Sequence, residues 1–536
     1  MKLLLVNIYP LNTFARYLLS SYTLKAYFDA NWKSAERVTV RVLNFSATVD
    51  SEKICQNIMA EQPDCIGYSA YIWNIEKILD VIRTLREKGS YIHILGGPEI
   101  SINKIKKLQD PKIADYYVIG EGEKILLNLM DYIRNKSRGA EPILPNGVAV
   151  SFENDIAYTI PTHDERIRDL DEIPSVYLSG VIDGVLYERQ QAFLETQRGC
   201  PFHCAYCVYH KNLSRISSSS LERVYSELEH LIVRKRVLAL RIFDSVFTHD
   251  LPRAKKIVRF LIELKAREGV RIPWIYWEFT YQAVDDEFLR LTASLKYKEK
   301  ILNTSEIKPL NRPQLYREVV KDYTVVNCVG IQSFCQDALR AVGRAPIDIE
   351  RFTRFFKDVN KYNIVLKVDM ILGLPFETLD SYCKGLELLL PFFKDTDHIL
   401  NIHRLQILSE SELERKCGIY GIRYSHKAPY TVYSTNSFSK KDMDHASKLT
   451  ALLFRIVNSP LRGAYFSMCE RSKKGFLKII SALCERIKAE ETFKHTRFVN
   501  DDSLDDDYWN DEVFKEIASE WIIGRCSQYA LDSAIS

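Results

Sequence analysis

The stretch Gly199-Cys200-Pro201-Phe202-His203-Cys204-Ala205-Tyr206-Cys207 constrains this chain more than any other. Its three cysteines are separated by three and then two residues, so one loop can aim all three thiolates at one corner. Three thiolates on a four-iron cluster leave the fourth iron without a protein ligand, and an open iron can bind and activate a small molecule. The competing reading is a structural or zinc-binding set of cysteines. Zinc sites usually join a C-x2-C pair to a second, distant pair, and the sequence offers no such partner. An aromatic residue, Tyr206, precedes the third cysteine, and the strand-like Ala192-Phe193-Leu194-Glu195-Thr196 leads into the loop.

A chain of 536 residues implies two to four domains. Its formal charge of +4 is small for that length, so no electrostatic nucleic-acid binder is expected. No apolar run reaches the roughly 18 residues of a membrane span. Met1-Lys2-Leu3-Leu4-Leu5-Val6 leads into Asn7, Tyr9 and Pro10, which reads as a buried first strand rather than a signal peptide. The nine cysteines outside the loop are scattered, as buried free thiols usually are. That usage implies a reduced, cytoplasmic location.

Strands and helices alternate through the first 140 residues. Strands are predicted at Lys2 to Tyr9, Val38 to Leu43, Cys65 to Ala70, Tyr91 to Leu95 and Tyr116 to Ile119. Helices are predicted at Ala15 to Phe28, Ser51 to Glu61 and Ile75 to Glu87, the last stopped by Gly89. This alternation implies a doubly wound, Rossmann-like α/β sheet, whose ligands sit beyond the carboxyl ends of strands. Two glycine turns fall at such ends: Gly96-Gly97-Pro98-Glu99 and Gly120-Glu121-Gly122-Glu123. Glycine there lets backbone approach a bulky ligand closely, although each turn alone is as well read as an ordinary tight turn.

Taken with the cysteine loop and with Ser69-Ala70-Tyr71-Ile72-Trp73-Asn74, these turns resemble the cobalamin-binding domain of cobalamin-dependent radical S-adenosylmethionine (SAM) enzymes. The resemblance implies that Cys200, Cys204 and Cys207 hold a 4Fe-4S cluster. It implies that Ser69, Gly96, Gly97, Pro98, Glu99, Gly120, Glu121 and Gly122 hold the nucleotide tail of cobalamin. Tyr71, Trp73 and Asn74 would lie near the corrin, with Pro10 in the same site. Core packing is the competing reading for Tyr71 and Trp73. Many cobalamin domains carry Asp-x-His-x-x-Gly after the first strand. Here that loop is Pro10-Leu11-Asn12-Thr13-Phe14-Ala15-Arg16, and no histidine precedes His93. Cobalt without a protein histidine ligand is therefore expected, an arrangement that favours methyl carriage.

After a proline- and aspartate-rich connector, strands are predicted at Val237 to Asp244, Pro273 to Phe279, Val325 to Ser333, Leu366 to Pro375 and Ile399 to Leu408. Polar residues recur at their carboxyl ends, where a parallel barrel builds its active site. Gly330-Ile331-Gln332-Ser333, Ala341-Val342-Gly343-Arg344 and Asp369 to Pro375 with Glu377-Thr378 resemble radical SAM sheet-end motifs. The resemblance implies a partial (β/α)6 barrel in which Tyr206, Glu278, Gln332, Ser333 and Arg344 contact SAM. For Asp244 and Asp369 a buried hydrogen-bonding role is equally open. The basic segment Lys296 to Tyr323 is read as a solvated insert, and Asp501 to Asp507 as a solvated acidic loop.

The expected division is a cobalamin-binding domain at 1–140, a linker at 141–190, a radical SAM barrel at 191–400 and a mainly helical cap and substrate domain at 401–536. The resemblance implies methylation of an unactivated carbon in a small natural-product or peptide substrate, through methylcobalamin and a 5′-deoxyadenosyl radical. An electron donor such as flavodoxin or ferredoxin would be a partner. The alternatives are ring contraction or oxidative cyclisation without methyl transfer, methylation without a radical, and a non-catalytic cobalamin sensor or carrier. The last would leave the three clustered cysteines idle.

Overall fold

A computed structural model describes residues 1–10, 15–108, 110–152, 155–188, 190–209, 216–295, 325–458, 461–472 and 475–489. Residues 11–14, the basic segment 296–323 and the acidic loop 501–507 lie outside the described residues.

Seven strands form the first sheet: β1 (Lys2–Tyr9), β2 (Thr39–Ser46), β3 (Cys65–Ser69), β4 (Ile92–Gly96), β5 (Tyr116–Val118), β6 (Val148–Phe152) and β7 (Asp155–Tyr158). Their order is β2-β1-β3-β4-β5-β6-β7. The first five are parallel, and the last two add on antiparallel. Helices therefore cover both faces, which is why β1 and β3 are apolar on both sides. Ile54, Ile58, Ile78 and Ile82 fill one layer, and Phe28, Ile125 and Leu129 fill the other. The order reverses between β1 and β3, so the crevice for a ligand opens at their carboxyl ends. Part of the stretch expected as a linker is thus sheet, since it supplies β6 and β7. Its acids bind backbone: exposed Asp171 accepts from the Ser220 N–H at 3.1 Å, and buried Glu165 accepts from Thr162 N at 2.7 Å.

The second sheet is wholly parallel and runs in sequence order: β8 (Gln191–Leu194), β9 (Ala239–Ile242), β10 (Trp274–Phe279), β11 (Val325–Gln332), β12 (Val365–Leu372) and β13 (Ile399–Arg404). This is the expected open six-stranded half-barrel. Buried Leu240, Ile242, Ile275, Trp277, Val329 and Ile331 face the helices. The alternate positions therefore face the lumen. Within the part expected as a cap, the helix Lys440–Val457 packs beside the barrel. It flanks the edge strand β13, where Asn458 clasps the backbone of Leu400 through both its amide groups, at 2.9 and 2.7 Å. Covering that edge shields the unpaired strand from other chains. The mouth is approached instead by residues 405–438, with Leu413 N donating to Ala205 O in the cysteine loop at 2.8 Å.

Candidate active site

The cysteine loop is fixed by its backbone. Ala205 N donates to Val342 O at 2.9 Å, and Ser245 Oγ donates to Gly199 O at 2.5 Å. Gly199 and Gly343 have φ of 115° and 71°, in the left-handed region that suits glycine. A Cβ on Gly343 would stand 2.9 Å from His203 O, so this glycine lets the β11 side of the barrel touch the loop. Just upstream, buried Asp244 accepts from Thr196 N at 2.7 Å, Gln197 N at 3.0 Å and Thr196 Oγ1 at 2.5 Å. Burial pushes its carboxyl up to about 6. Asp244 is thus a loop anchor at a strand end.

Cys200, Cys204 and Cys207 are free thiols. Burial, aided by the neighbouring Cys204 and Cys200, pushes Cys207 up to about 11. The three sulfurs are therefore near enough to feel one another. Among the described residues, no group of three His, Cys, Asp or Glu closes around a single metal ion. Two N–H donors aim at sulfur. Arg344 Nη1 donates to Cys204 Sγ at 3.5 Å, and Tyr209 N donates to Cys207 Sγ at 3.4 Å. Donors directed at sulfur suit thiolates that carry charge, so this loop fits a cluster left open at one iron. The same Arg344 donates to Tyr206 Oη at 3.4 Å and to Gly330 O at 2.6 Å. Arg344, expected as a SAM contact, thus also ties the cluster loop to the end of β11.

That strand end carries a bulge between Gly330 and Gln332, and Gln332 sits at φ 70°. Its side chain folds back over Gly330, where any Cβ would collide with Gln332 Nε2. Bulges re-aim side chains, and a non-glycine residue held left-handed at a site stores strain. Ser333, expected to face SAM, is wholly buried. Its hydroxyl pairs with Glu377 and accepts from Cys335 N at 3.0 Å. Burial pushes Glu377 up to about 8, so it stays protonated at neutral pH. The reason for the difference is the turn at Phe376-Glu377, which folds its acid back under β11.

The lumen is layered. Trp274, Tyr276, Val326, Val365 and Ile399 make an apolar floor. Above it Lys367 Nζ donates to Tyr276 Oη at 3.1 Å and pairs with Asp369 at 3.0 Å. Asp369 also accepts from Asn401 Nδ2 at 2.5 Å, and Asn401 meets His403 Nε2 at 2.6 Å. Cys328 donates its thiol to Tyr276 Oη at 2.6 Å. Glu278 shares this lumen, its carboxyl raised by burial and by Asp369.

At the crevice of the first sheet, Gly97 has φ 106°, and a Cβ there would lie 2.5 Å from Ala70 O. The turn after β4 therefore crosses the turn after β3 at backbone contact, a cradle open to a large flat ligand such as cobalamin. Trp73 is 45% exposed and stacks on Tyr71 with centroids 4.4 Å apart. Tyr71 Oη donates to Ser20 at 3.1 Å, and Ser69 lies 3.4 Å from Ser21. Asn74 differs from expectation: it is buried, and it binds Tyr71 N, Ile8 O and Ser69 O. It is a backbone clamp because it closes the turn before the helix Ile75–Lys88. Glu99 likewise turns away, accepting from Tyr430 Oη at 2.9 Å. Glu121 accepts from Ile167 N at 2.9 Å. His93 is held inside the sheet with Nδ1 3.2 Å from Tyr68 Oη, so it does not reach the crevice.

One residue that sequence reasoning missed joins the two modules. Arg198, two residues before Cys200, meets Glu195 at 2.8 Å, Glu123 at 3.0 Å and Glu121 at 3.4 Å. The short Glu195–Arg198 spacing was visible, but the two acids across the domain boundary were not.

Comparison with known proteins agrees with this architecture. The B12 binding domain family matches residues 24–130, and the radical SAM superfamily matches residues 194–389. The chain is 25% identical over 378 residues to 2-(S-pantetheinyl)-carbapenam-3-carboxylate methyltransferase of Streptantibioticus cattleyicolor, covering 69% of this chain and 51% of that protein. It is 24% identical over 379 residues to the cobalamin-dependent radical SAM methyltransferase TokK of Streptomyces tokunonensis, with the same 69% and 51% coverage. The chain thus spans about half the length of these curated relatives. Among solved structures, the cobalamin-dependent radical enzyme OxsB with aqua-cobalamin and SAM bound superposes with a TM-score of 0.60 at 15% identity, over 100% of this chain and 81% of OxsB. The methyltransferase TsrM of Kitasatospora setae, with tryptophan and a SAM analogue bound, gives 0.58 at 16% identity, over 79% and 78%. With a B12 binding domain followed by a radical SAM domain, the chain belongs to the cobalamin-dependent radical SAM enzymes.

Proposed function

We propose that this protein is a methyltransferase that places a methyl group on an unactivated carbon of a small natural-product or peptide substrate. The observation that carries the reading is that two relatives named as methyltransferases align over 69% of the chain. When bound, the cluster, SAM and cobalamin would supply radical generation and methyl carriage. The chain's own part is placement. Cys200, Cys204 and Cys207 would hold the cluster, and Arg344 braces Cys204 against β11. Gln332, at the bulge that ends β11, would contact SAM. The crossed turns at Ala70 and Gly97, with exposed Trp73, would seat cobalamin. The Arg198 clamp holds the two modules against one another, and such fixed placement is what a transfer between two cofactors needs. An external one-electron donor of the flavodoxin or ferredoxin type completes the reading.

A second reading, rearrangement or cyclisation without methyl transfer, draws on a 23% identical relative named as an anaerobic magnesium-protoporphyrin IX monomethyl ester cyclase of Rubrivivax gelatinosus. The test uses anaerobically reconstituted protein with cobalamin, SAM and a strong reductant, with both nucleoside products followed by mass spectrometry. S-adenosylhomocysteine formation that needs cobalamin supports methyl transfer. 5′-Deoxyadenosine alone, with cobalamin bound, overturns it in favour of the second reading.

A further inference from the structure

The charged groups of the barrel lumen divide into two sets. Lys367, Asp369, Asn401 and His403 are bonded to one another. Arg241 and Glu278 are not: among the described residues, neither side chain makes a hydrogen bond or an ion pair. Arg241 lies between two rings, 4.7 Å from the centroid of Tyr276 and 5.3 Å from that of Phe243. These cation–π contacts hold the guanidinium in place while leaving its N–H fork unused. Arg241 sits opposite Tyr276 in the register of β9 and β10, and Glu278 is two residues further along β10, toward the mouth. Strand spacing and rise put the two backbones about 8 Å apart on the diagonal. The half-buried positions Arg241, Tyr276 and Glu278 alternate with buried ones that face the helices, so both charges point into the lumen.

Arg241 and Lys367 attract Glu278 only at longer range, and two partly buried, opposite charges with no hydrogen bond or ion pair are costly to keep unless a ligand satisfies them. We propose that Arg241 and Glu278 form a substrate subsite for an amino-acid head, the carboxylate taken by the Arg241 fork and the ammonium by Glu278. Their separation suits one such head with a hydrogen bond at each end. The floor of Trp274, Tyr276 and Val326 lies below it, and the cysteine loop stands at the mouth above, so the rest of the substrate extends toward the cofactors. Burial and the nearby Asp369 raise the Glu278 carboxyl, and an arriving ammonium would restore its charge. The inference rests on the proposed function only in assigning the lumen to substrate rather than to SAM.

The test is calorimetry on the holoprotein, loaded with cluster, cobalamin and SAM, using the common free amino acids as probes with their methyl esters and N-acetyl forms. The expected result is that at least one free amino acid binds, and that blocking either its carboxylate or its amine weakens binding by about tenfold or more. Arg241→Gln should weaken the free acid to the same degree but leave the ester unchanged. Glu278→Gln should do the same for the free amine and spare the N-acetyl form. Arg241→Lys, which keeps the charge and loses the fork, should fall between wild type and Arg241→Gln. It also serves if the glutamine variant fails to load its cofactors. The inference is overturned if no amino acid binds, if the variants bind the probe like wild type, or if Glu278→Gln loses SAM while keeping the amino acid. Nucleoside formation is measured without substrate, so failed methyl transfer and failed amino-acid binding are told apart.

Discussion

Arg344 donates to the sulfur of Cys204 at 3.5 Å and, through its other terminal nitrogen, to the carbonyl of Gly330 at 2.6 Å. One guanidinium thereby fixes a candidate cluster ligand against the strand whose bulge orients Gln332. The cation is largely buried, so its effect on the sulfur is only weakly screened. It raises a coupling between two parts of the site that are distant in sequence.

Replacing that cation changes the electron affinity of whatever the thiolates hold. Reduction adds negative charge, which Arg344 stabilises. Arg344→Gln is therefore expected to lower the cluster's reduction potential by about 60 mV, the equivalent of about 1.4 kcal/mol in a one-electron couple. A redox titration followed by electron paramagnetic resonance on reconstituted protein checks this. An unchanged potential would mean that the N–H···S contact carries no electrostatic weight.

Arg198 holds three acids in a partly buried cluster. Arg198→Met leaves Glu121, Glu123 and Glu195 facing one another without a cation. A loss of about 3 kcal/mol is expected at pH 7, as for removal of one partner from a buried pair. Burial already raises Glu121, and Arg198 is the largest influence lowering it. Without the arginine its carboxyl rises further and takes up a proton more readily. The deficit against wild type should therefore shrink between pH 7 and pH 5 in denaturant titrations.

Gln332 trades stability for position. A side chain at φ 70° costs about 1 kcal/mol that glycine avoids. Gln332→Gly is expected to unfold at the same or higher denaturant concentration than wild type while binding SAM more weakly in equilibrium dialysis. Gly330→Ala tests the same relationship from beneath. Its Cβ would push the flexible Gln332 amide aside, so SAM binding should fall with little loss of stability. Unchanged SAM affinity in both variants would remove Gln332 from the site.

The sequence made the cysteine loop, the alternation of strands and helices and the glycine turns legible because each depends on local spacing. Lys2–Tyr9 is a strand with the predicted ends. The direction of a polar side chain at a strand end is not local. Ser333 and Gln332 are neighbours with opposite fates, since the bulge folds one back over Gly330 and Glu377, from the next strand's turn, captures the other. Asn74 and Glu99 look like ligand contacts in sequence, but their partners, Ile8 and Tyr430, lie far along the chain. In β10, Trp-Ile-Tyr-Trp-Glu-Phe carries large apolar groups on both faces, so alternation could not tell lumen from helix side. For that reason Arg241, one strand over, was not singled out.

Asp244 gives a pH signature that depends on no cofactor. Its carboxyl lies at about 6 in the folded protein against an ordinary value of 3.8, raised mainly by burial and held down in part by Thr196 and Gln197. Between those two values the folded chain holds a proton that the unfolded chain releases. The stabilisation from this group is therefore complete below pH 3.8 and is lost as pH rises through about 6, a change on the order of 3 kcal/mol. Asp244→Asn removes the titration but keeps the shape: its carbonyl can accept both N–H groups, and its amide can donate to the Thr196 hydroxyl. The variant should match or exceed wild-type stability at pH 7 and show a flatter profile between pH 4 and 6. Asp244→Ala, which leaves the Thr196 and Gln197 N–H groups buried and unpaired, should lose about 2–3 kcal/mol at either pH. Parallel denaturant titrations of the three proteins across that range check the sign, and an asparagine variant that is much less stable than wild type at pH 7 would show that the ionised carboxylate itself holds the loop.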